Sequence, residues 1–215
     1  MPFRHLSCWE NESYEVIKNQ LANRDNATAD YGAYLRASIL LPFFVENKKL
    51  HLIYIQRAAH FLADGTEAVH SRQIAFAGGK QEKNERFVET ALREAEEEID
   101  LKKDSVTILG QLGTFVIPVS NYASSAFLGQ LKKRPVLRPN ADEVADIFYI
   151  PLQDLVNQHL QHPEKINRTH ERGIHYHWRP PHRKKEICIW GMTGRITWHV
   201  LQMINKIDEI NENET

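Results

Sequence analysis

Acidic residues are concentrated in one short segment, and three of them have a spacing that could bind a metal ion. Each residue of a helix turns about 100°, so Glu94, Glu97 and Glu98, spaced i, i+3 and i+4, would converge on one patch. Like charges at this spacing destabilise a helix, whereas three hard oxygen donors suit Mg²⁺ or Mn²⁺. The alternative is an acidic face that contacts only solvent. The acidic residues between positions 82 and 100 are Glu82, Glu85, Glu89, Glu94, Glu96, Glu97, Glu98 and Asp100.

A predicted amphipathic helix from Arg86 to Ile99 would carry these glutamates. Its apolar residues fall within an arc of roughly 140° on a helical projection, the width of a core-facing stripe. The glutamate patch borders this stripe instead of facing solvent directly. We therefore predict that the stripe packs on a sheet while its edge presents the carboxylates. The stripe consists of Phe87, Val88, Ala91, Leu92, Ala95 and Ile99.

The spacing around the glutamates resembles a known motif. Glu85 follows Gly79 after five intervening residues, and after seven more comes Arg93-Glu-Ala-Glu-Glu-Glu-Ile-Asp-Leu101. This resembles the Nudix box, Gly-x5-Glu-x7-Arg-Glu-U-x-Glu-Glu-x-Gly-U, in which U is apolar. The one departure is Asp100, where the motif has the Gly that ends the helix. Asp adopts the left-handed conformation more readily than most residues, so we expect a modest stability cost and an intact site.

The resemblance implies a metal-dependent hydrolase of diphosphate linkages. Its metal would polarise a phosphoryl oxygen and lower the pKa of a water that attacks phosphorus. Arg93 would pair with Glu85 and orient the ligands, and Gly78 would let the backbone approach metal and phosphate oxygens. The implied ligands of Mg²⁺ or Mn²⁺ are the Gly79 carbonyl, Glu94, Glu97 and Glu98.

The segments around the box resemble the coenzyme A pyrophosphatase subgroup. Upstream, His70-Ser-Arg-Gln-Ile-Ala-Phe-Ala-Gly-Gly79 is similar to the segment that precedes the box there, and Arg57 stands where the subgroup has an Arg after a strand. Downstream, residues 142–152 and 189–196 are also similar. The resemblance implies coenzyme A or an acyl derivative as substrate, giving 3′,5′-ADP and 4′-phosphopantetheine. Another nucleoside diphosphate compound, such as ADP-ribose or a dinucleotide, and a non-catalytic binding module are the alternatives.

Three departures bear on the substrate. Arg72 replaces the motif's Gly, Ala77 replaces its Pro, and residues 60–69 look like an insertion. Coenzyme A needs a metal for its diphosphate, a cation for its 3′-phosphate and an apolar groove for pantetheine, and Arg57 and Arg72 are the nearest cationic candidates by motif. The implied substrate-binding residues are Arg57, His70, Arg72, Phe76 and Gly78.

Two other groups of residues could take part in chemistry. Glu143 lies in a loop before a strand, from which some relatives supply a carboxylate as base or ligand; the alternative is a surface residue. His175 and His177 would share one strand face, but no Cys pair of matching spacing accompanies them, so the sequence favours no zinc site. Cys188 lies in an apolar run and is expected to be packed, with nothing that marks it as a nucleophile.

Composition excludes several classes of protein. The formal net charge of −1 gives no overall attraction to nucleic acid or to an anionic membrane. The longest apolar run, residues 37–45, is too short to span a bilayer, and the N-terminus lacks a signal-peptide pattern. Two cysteines form no disulfide framework, which favours a reduced, cytoplasmic protein. A small-molecule nucleotide-type substrate is the expected partner, and a homodimer is compatible with the sequence.

Strands and helices mingle along the chain, which favours one mixed α/β domain over residues 1–215. The resemblance implies a Nudix-like α/β/α sandwich with a mixed central sheet, an N-terminal extension at about 1–36 and a frayed acidic tail at 207–215. A helix is predicted around 14–21, and loops in the Gly-rich region before the box. The other predicted strands are 37–45, 50–56, 106–118, 124–131, 144–150, 173–178 and 186–190, and the other predicted helices are 151–159 and 191–206.

Overall fold

The computed structural model describes residues 17–19, 21, 32–161, 174–181 and 183–213, with the side chains of 158–161 and 205–213 left out. Most of the expected N-terminal extension and part of the predicted helix at 14–21 lie outside these residues. Within that helix, Ile17 and Leu21 are helical and buried in the core.

Two long strands form the centre of the sheet and confirm the first predicted strand pair. They are β1 (Leu35–Glu46) and β2 (Lys49–Arg57), joined by a tight turn. Both turn residues, Asn47 and Lys48, have positive φ angles of 51° and 62°. Such a two-residue turn matches the twist of an antiparallel pair, so it fixes the register of the hairpin.

Two short strands missed by the sequence analysis follow, β3 (Ile74–Ala75) and β4 (Ala77–Lys80). β4 pairs antiparallel with residues 37–40 of β1, whereas β2 pairs with residues 43–46 of the same strand. β1 therefore changes partner halfway along one edge. The two glycines of β4 give it no alternating apolar pattern, so its pairing could not be predicted from side chains.

Three further strands complete a seven-stranded mixed sheet: β5 (Val106–Ile117), β6 (Tyr122–Leu131) and β7 (Val144–Pro151). Short 3₁₀ turns at Lys103–Ser105 and Pro118–Ser120 precede β5 and β6. β6 runs parallel to β1, and every other pairing in this sheet is antiparallel. The predicted mixed central sheet is confirmed.

Helices cover both faces of the sheet. Helix α1 (Phe87–Ile99) packs on one face; α2 (Leu152–Gln161) and α3 (Gly191–Asn213) contribute to the core of the other. Alternation along the strands divides the sheet residues between the two cores, since neighbouring side chains point to opposite faces. On β1, Leu40 and Phe44 belong to the α1 side, and Leu41 and Phe43 to the other. The predicted α/β/α sandwich is therefore confirmed.

A two-stranded hairpin, β8 (Tyr176–Trp178) and β9 (Ile187–Ile189), leads directly into α3. The prediction that α3 ends near residue 206, before a frayed tail, was wrong: the helical backbone continues to Asn213. The tail contains neither Gly nor Pro to end the helix. Pro151, predicted to begin α2, is instead the last residue of β7. None of the helices among the described residues is long and apolar enough to cross a membrane.

Candidate active site

Arg93, on α1, joins the acidic residues of the site. A guanidinium carries five N–H donors, and here all five are used. Nε donates to Glu85 at 2.9 Å, Nη1 to Glu94 at 2.9 Å and Glu97 at 2.8 Å, and Nη2 to Glu85 at 3.2 Å and the Lys80 carbonyl at 3.1 Å. The contact between Arg93 and Glu85 that the resemblance implies is thus present. Arg93 also ties the helix to β4.

The two glycines of β4 lie directly against two of the glutamates. The Gly78 N–H donates a hydrogen bond to Glu98 at 2.9 Å. A Cβ on Gly79 would lie 2.5 Å from the carboxylate carbon of Glu94, and a Cβ on Gly78 would overlap the carbonyl of Ser38. Any larger residue would displace a carboxylate or the neighbouring strand. Glycine is therefore required for this close approach.

The three predicted ligands differ in their exposure. The side chain of Glu98 is 2% exposed, that of Glu94 is 14% exposed and that of Glu97 is 54% exposed. Glu94 and Glu98 both lie against the glycine strand. Glu97 lies at the rim, where its contact with Arg93 keeps it beside Glu94.

Burial outweighs the nearby positive charge at Glu94 and Glu98. Burial raises the pKa of Glu98 to about 7, although the Gly78 N–H and the Arg57 guanidinium, 3.8 Å away, oppose the rise. Burial also raises the pKa of Glu94, despite its hydrogen bond from Arg93. The negative charge of Glu143 adds to both rises. A nearby cation would stabilise the ionised forms.

This donor set fits a hard divalent cation. Carboxylate and carbonyl oxygens are the ligands that Mg²⁺ and Mn²⁺ prefer in proteins. The buried carboxylate of Glu98 has one backbone donor and one guanidinium at a distance of 3.8 Å, which leaves charge for a metal to neutralise.

Glu85 has the opposite electrostatic environment. Its hydrogen bonds from Arg93 lower its pKa to about 2, and the Thr90 hydroxyl donates a further bond at 2.8 Å. A carboxylate held in this way stays ionised at any physiological pH. Glu85 is therefore a fixed partner of Arg93 and not a proton carrier.

Asp100 ends α1 in the conformation expected from the sequence. Its φ and ψ angles are 56° and 29°, in the left-handed region. Its N–H donates to the Glu96 carbonyl at 3.0 Å, and the N–H of Leu101 donates to the Ala95 carbonyl at 3.2 Å. These two bonds satisfy carbonyl groups at the end of the helix, as they would if the motif's Gly stood at position 100. The departure from the motif leaves the glutamates in place.

A cavity of about 510 Å³ opens beside the glycine strand. Its lining changes in character along its length. Arg57, Gly78, Gly79 and Lys80 line the end near the glutamates, and Val119, Trp190, Met192 and Ile196 supply an apolar region. Ser124 also lines the cavity, and its buried hydroxyl has no hydrogen-bond partner among the described residues. The cavity thus offers both polar and apolar contacts to a ligand.

A second cavity, of about 250 Å³, is adjacent to the first and is basic. Arg72, Arg183 and Lys185 line it, and Gln73 and Trp190 line both cavities. Arg183 is fixed by an ion pair with Asp146 and a hydrogen bond of 3.0 Å to Gln56. We call this space the basic cavity.

The structure separates the substrate residues implied by the resemblance. Arg57, His70 and Phe76 line the large cavity with Gly78, but Arg72 does not. Arg72 lines the basic cavity instead, with a positive φ of 56° and an ion pair of 2.7 Å to Glu67. The two cationic candidates therefore line different cavities: Arg57 lies near Glu98, and Arg72 lies in the neighbouring cavity.

The contacts of the individual residues differ as well. Phe76 is buried and stacks on Tyr54, with ring centroids 4.5 Å apart, so it supports the cavity floor. His70 contacts Gln73 at 3.2 Å. Glu143 lies before β7, where its carbonyl accepts a hydrogen bond of 2.8 Å from Ala58 and its side chain is exposed.

The apparent insertion forms a small hairpin. Phe61 and Glu67 are bridged, and Asp64 caps the turn through hydrogen bonds from Thr66 at 2.6 and 2.9 Å. Val69 at its end lines the large cavity. The insertion therefore contributes directly to the wall of the site.

Several cavity residues were missed by the sequence analysis: Lys80, Tyr122, Ser124, Trp190 and Met192. Trp190 and Met192 lie in the segment at 189–196 that carries part of the resemblance, and that signal could have identified them. Lys80 follows the glycines directly. The other two project from β6, and no local pattern distinguishes them from ordinary strand residues.

Comparison with known proteins agrees with this geometry. The NUDIX domain model matches residues 35–172. The uncharacterized Nudix hydrolase NudL of Photorhabdus laumondii is 31% identical over 170 residues, 78% of this chain and 84% of that protein. The protein of the same name from Yersinia pestis is 30% identical over 171 residues, 79% of this chain and 80% of that protein.

A solved structure supports the fold independently. A MutT/nudix family protein from Enterococcus faecalis has a TM-score of 0.52 at 16% identity, and the match covers 94% of this chain and 75% of that one. At this identity the likeness concerns the fold alone. Together with the family match over residues 35–172, it leads to one conclusion: the chain belongs to the Nudix hydrolases, enzymes that act on phosphorus-containing anhydrides.

Proposed function

We propose that this Nudix hydrolase cleaves the diphosphate of coenzyme A or an acyl derivative, giving 3′,5′-ADP and 4′-phosphopantetheine. The observation that carries the proposal is the pair of adjoining cavities. Coenzyme A has a diphosphate, a separate 3′-phosphate and an apolar arm. The end of the large cavity near the glutamates suits the diphosphate. The basic cavity suits the 3′-phosphate, and the apolar region near Met192 suits the arm.

The position of the cations refines this proposal. Arg57 lies 3.8 Å from Glu98, which makes it a partner for the diphosphate. Arg72 and Lys185 in the basic cavity are better placed for the 3′-phosphate, because they lie away from the glutamates but next to the shared lining residue Trp190. Charge-assisted hydrogen bonds of this kind contribute about 1.5–3 kcal/mol each.

The proposed catalytic roles follow from the contacts of each residue. Family members generally use divalent metal ions, and we propose Mg²⁺ or Mn²⁺ held by the Gly79 carbonyl, Glu94, Glu97 and Glu98. The bound ion supplies Lewis-acid chemistry that polarises a phosphoryl oxygen and activates water. Arg93 positions Glu94 and Glu97 through its hydrogen bonds, with Glu85 fixing its own orientation.

Glu143 is the proposed general base. It lies in the turn before β7, its side chain is exposed, its negative charge contributes to the raised pKa of Glu94 and Glu98, and its carbonyl accepts a hydrogen bond from the Ala58 N–H. An exposed carboxylate near the ligand site can accept a proton from the reacting water and release it to solvent, as a general base must. The side chains of Glu94 and Glu98 are committed to the ligand site.

Product identification tests the proposal most directly. With Mg²⁺ present, coenzyme A should yield 3′,5′-ADP and 4′-phosphopantetheine, separated by chromatography and identified by mass. The 3′-dephospho form should be cleaved with a lower kcat/KM. Preference for ADP-ribose or a dinucleotide in the same panel would replace coenzyme A as the substrate, and absence of hydrolysis of every compound would favour the non-catalytic alternative.

Matched variants locate the phosphate site. Arg72→Ala or Lys185→Ala should reduce the preference for coenzyme A over its 3′-dephospho form by roughly ten- to a hundredfold in kcat/KM. Arg57→Ala should lower kcat/KM for both substrates by a similar factor, because Arg57 acts at the diphosphate. Lys184→Ala is the control, since this exposed neighbour of Lys185 is not among the residues that line the basic cavity. An equal loss of kcat/KM for both substrates in the Arg72 and Lys185 variants would contradict the assignment of these residues to the 3′-phosphate.

The remaining expectations belong to the same proposal. We propose that the substrate is a small molecule and not a nucleic acid, that the protein acts in the cytoplasm, and that a homodimer is compatible with this function. We also propose that residues 1–215 form a single domain. The near-neutral charge of −1 supports the absence of a nucleic-acid substrate.

A further inference from the structure

The hairpin β8–β9 brings together three potential metal ligands that differ in type from the glutamates of α1. They are His175, His177 and Cys188, whose ligand atoms all lie within 4.8 Å of one another. His177 and Cys188 are directly opposite each other in the antiparallel register, and His175 is two residues before His177. Because side chains alternate along a strand, all three lie on one face of the hairpin.

The opposite face of the hairpin explains why this arrangement is fixed. Tyr176, Ile187 and Ile189 alternate with the three residues and are buried in the core. A shift of the register by one residue would expose these apolar side chains, so the pairing is strongly specified. The cluster is thus built on a rigid element.

We propose that His175, His177 and Cys188 form a binding site for a zinc-like divalent ion, separate from the hydrolytic metal site. In tetrahedral zinc coordination, a sulfur and a nitrogen ligand are roughly 3.6 Å apart, from bond lengths of about 2.3 and 2.0–2.1 Å. The Cys188 Sγ lies 3.8 Å from the His175 Nδ1 and 3.9 Å from the His177 Nε2. Both sulfur–nitrogen distances are therefore within a few tenths of an ångström of the value expected around zinc, and all three ligand atoms lie within 4.8 Å of one another.

Glu186 supports the site in the manner of known zinc centres. Its carboxylate contacts the Nδ1 of His177 at 2.9 Å. With the proton on Nδ1, the lone pair is on Nε2, the atom that faces Cys188. Metal-bound histidines commonly have such a carboxylate partner, which fixes their tautomer and orientation.

Charge balance also favours a divalent ion. Binding converts the thiol of Cys188 to a thiolate, and its proton is released to solvent. The thiolate and Glu186 together carry the two negative charges that a divalent ion needs. This balance matters because Arg72, Arg183 and Lys185 line the same cavity as Cys188 and would repel an uncompensated cation.

The location gives the ion a structural consequence and an entry path. Cys188 lines the basic cavity, which lets an ion enter from solvent. β9 leads through Trp190 into α3, and Trp190 and Met192 line the large cavity. An ion that fixes the hairpin would thus also fix this wall of the substrate site. Sulfur and imidazole donors favour Zn²⁺ over Mg²⁺, so the two sites take different metals.

Cobalt spectroscopy tests the proposal without reference to activity. Chelator-treated full-length protein, freed of chelator, should bind Co²⁺ with a thiolate-to-metal charge-transfer band that one equivalent of Zn²⁺ abolishes. Cys188→Ser should lose the band, and Cys8→Ser, which changes the chain's other cysteine, should retain it. Glu97→Gln should also retain it. No band in the wild type, or a band that survives in Cys188→Ser, would overturn the assignment.

Affinity measurements separate the ligands from the supporting carboxylate. Glu186→Gln should weaken Zn²⁺ binding by ten- to a hundredfold, as is typical for such partners. His177→Ala should weaken it more. Circular dichroism of each variant without metal checks that the fold is intact, and Zn²⁺ should raise the Tm of the wild type but not of Cys188→Ser. Unchanged affinity in His177→Ala with an intact fold would contradict the proposal.

Discussion

The helix α1 and the hairpin β8–β9 assemble candidate ligands in two different ways. On α1, three glutamates at i, i+3 and i+4 approach one another through helical geometry alone. On the hairpin, Cys188 meets His177 only because the strand register places them opposite each other. The first kind of cluster is visible in the sequence, whereas the second depends on a pairing that local spacing does not encode.

The largest expected effect tests the cluster on α1. Glu97→Gln or Glu98→Gln removes a negative oxygen ligand at constant size, and we expect turnover to fall at least about 10²-fold. Folding should be unchanged or slightly more stable, since repulsion is relieved. Steady-state kinetics with Mg²⁺ measure turnover, and thermal denaturation measures stability.

A glutamate on the same helix provides the control. Glu96→Gln should leave turnover unchanged, because Glu96 contacts Lys102 at 3.0 Å and not Arg93. Wild-type turnover in the Glu97 and Glu98 variants would show that helical convergence alone does not make a metal site.

The buried charge of Glu98 predicts a pH dependence in the metal-free protein. Its pKa rises from 4.5 to about 7 on folding, so its contribution to stability is complete below pH 4.5 and is lost as the pH rises through 7. The shift corresponds to roughly 3 kcal/mol at most. Glu85 titrates near 2, so it contributes no change in this window.

Denaturant unfolding between pH 5 and 8 without metal measures this effect. The free energy of unfolding should decrease with pH more steeply in the wild type than in Glu98→Gln, whose side chain does not titrate. Saturating Mg²⁺ should reduce the difference, because the ion stabilises the ionised carboxylate. Parallel pH profiles for the two metal-free proteins would argue against a buried, uncompensated Glu98.

The smallest expected effect concerns the end of α1. Asp100→Gly should raise the free energy of unfolding by about 1 kcal/mol, since glycine adopts a φ of 56° without steric cost. Loss of the ion pair with Lys102, at 2.7 Å, offsets part of this gain. Turnover should be unchanged. Destabilisation of the Gly variant in chemical denaturation would mean that the ion pair outweighs the backbone strain.

The contrast between α1 and the hairpin also explains which features could be predicted from the sequence. The apolar stripe of α1 and the alternation along β1 and β2 predicted these elements and their buried faces. β4 was missed because Gly78 and Gly79 have no side chains to form a pattern. The cavity that Arg72 lines could not be predicted, because a motif position does not specify which of two adjoining cavities its side chain enters.

The grouping of His175 and His177 with Cys188 could not be predicted for a related reason. No pair of cysteines at short spacing accompanies the two histidines, whereas the strand pairing brings one cysteine beside them. His177 and Cys188 are eleven positions apart along the chain. Only the pairing of β8 with β9 makes them neighbours.

The change of partner along β1 has a consequence for how new specificities could arise. Between β2 and β3 the chain leaves the sheet, and the base of this excursion is closed by the hydrogen bond of 3.0 Å from the Arg57 N–H to the Gln73 carbonyl. Doubling the length of a flexible loop costs only about 0.6 kcal/mol in closure entropy. This excursion can therefore lengthen or shorten while Gly78 and Gly79 stay paired with β1, so the family can exchange the substrate-facing wall without rebuilding the hydrolytic centre.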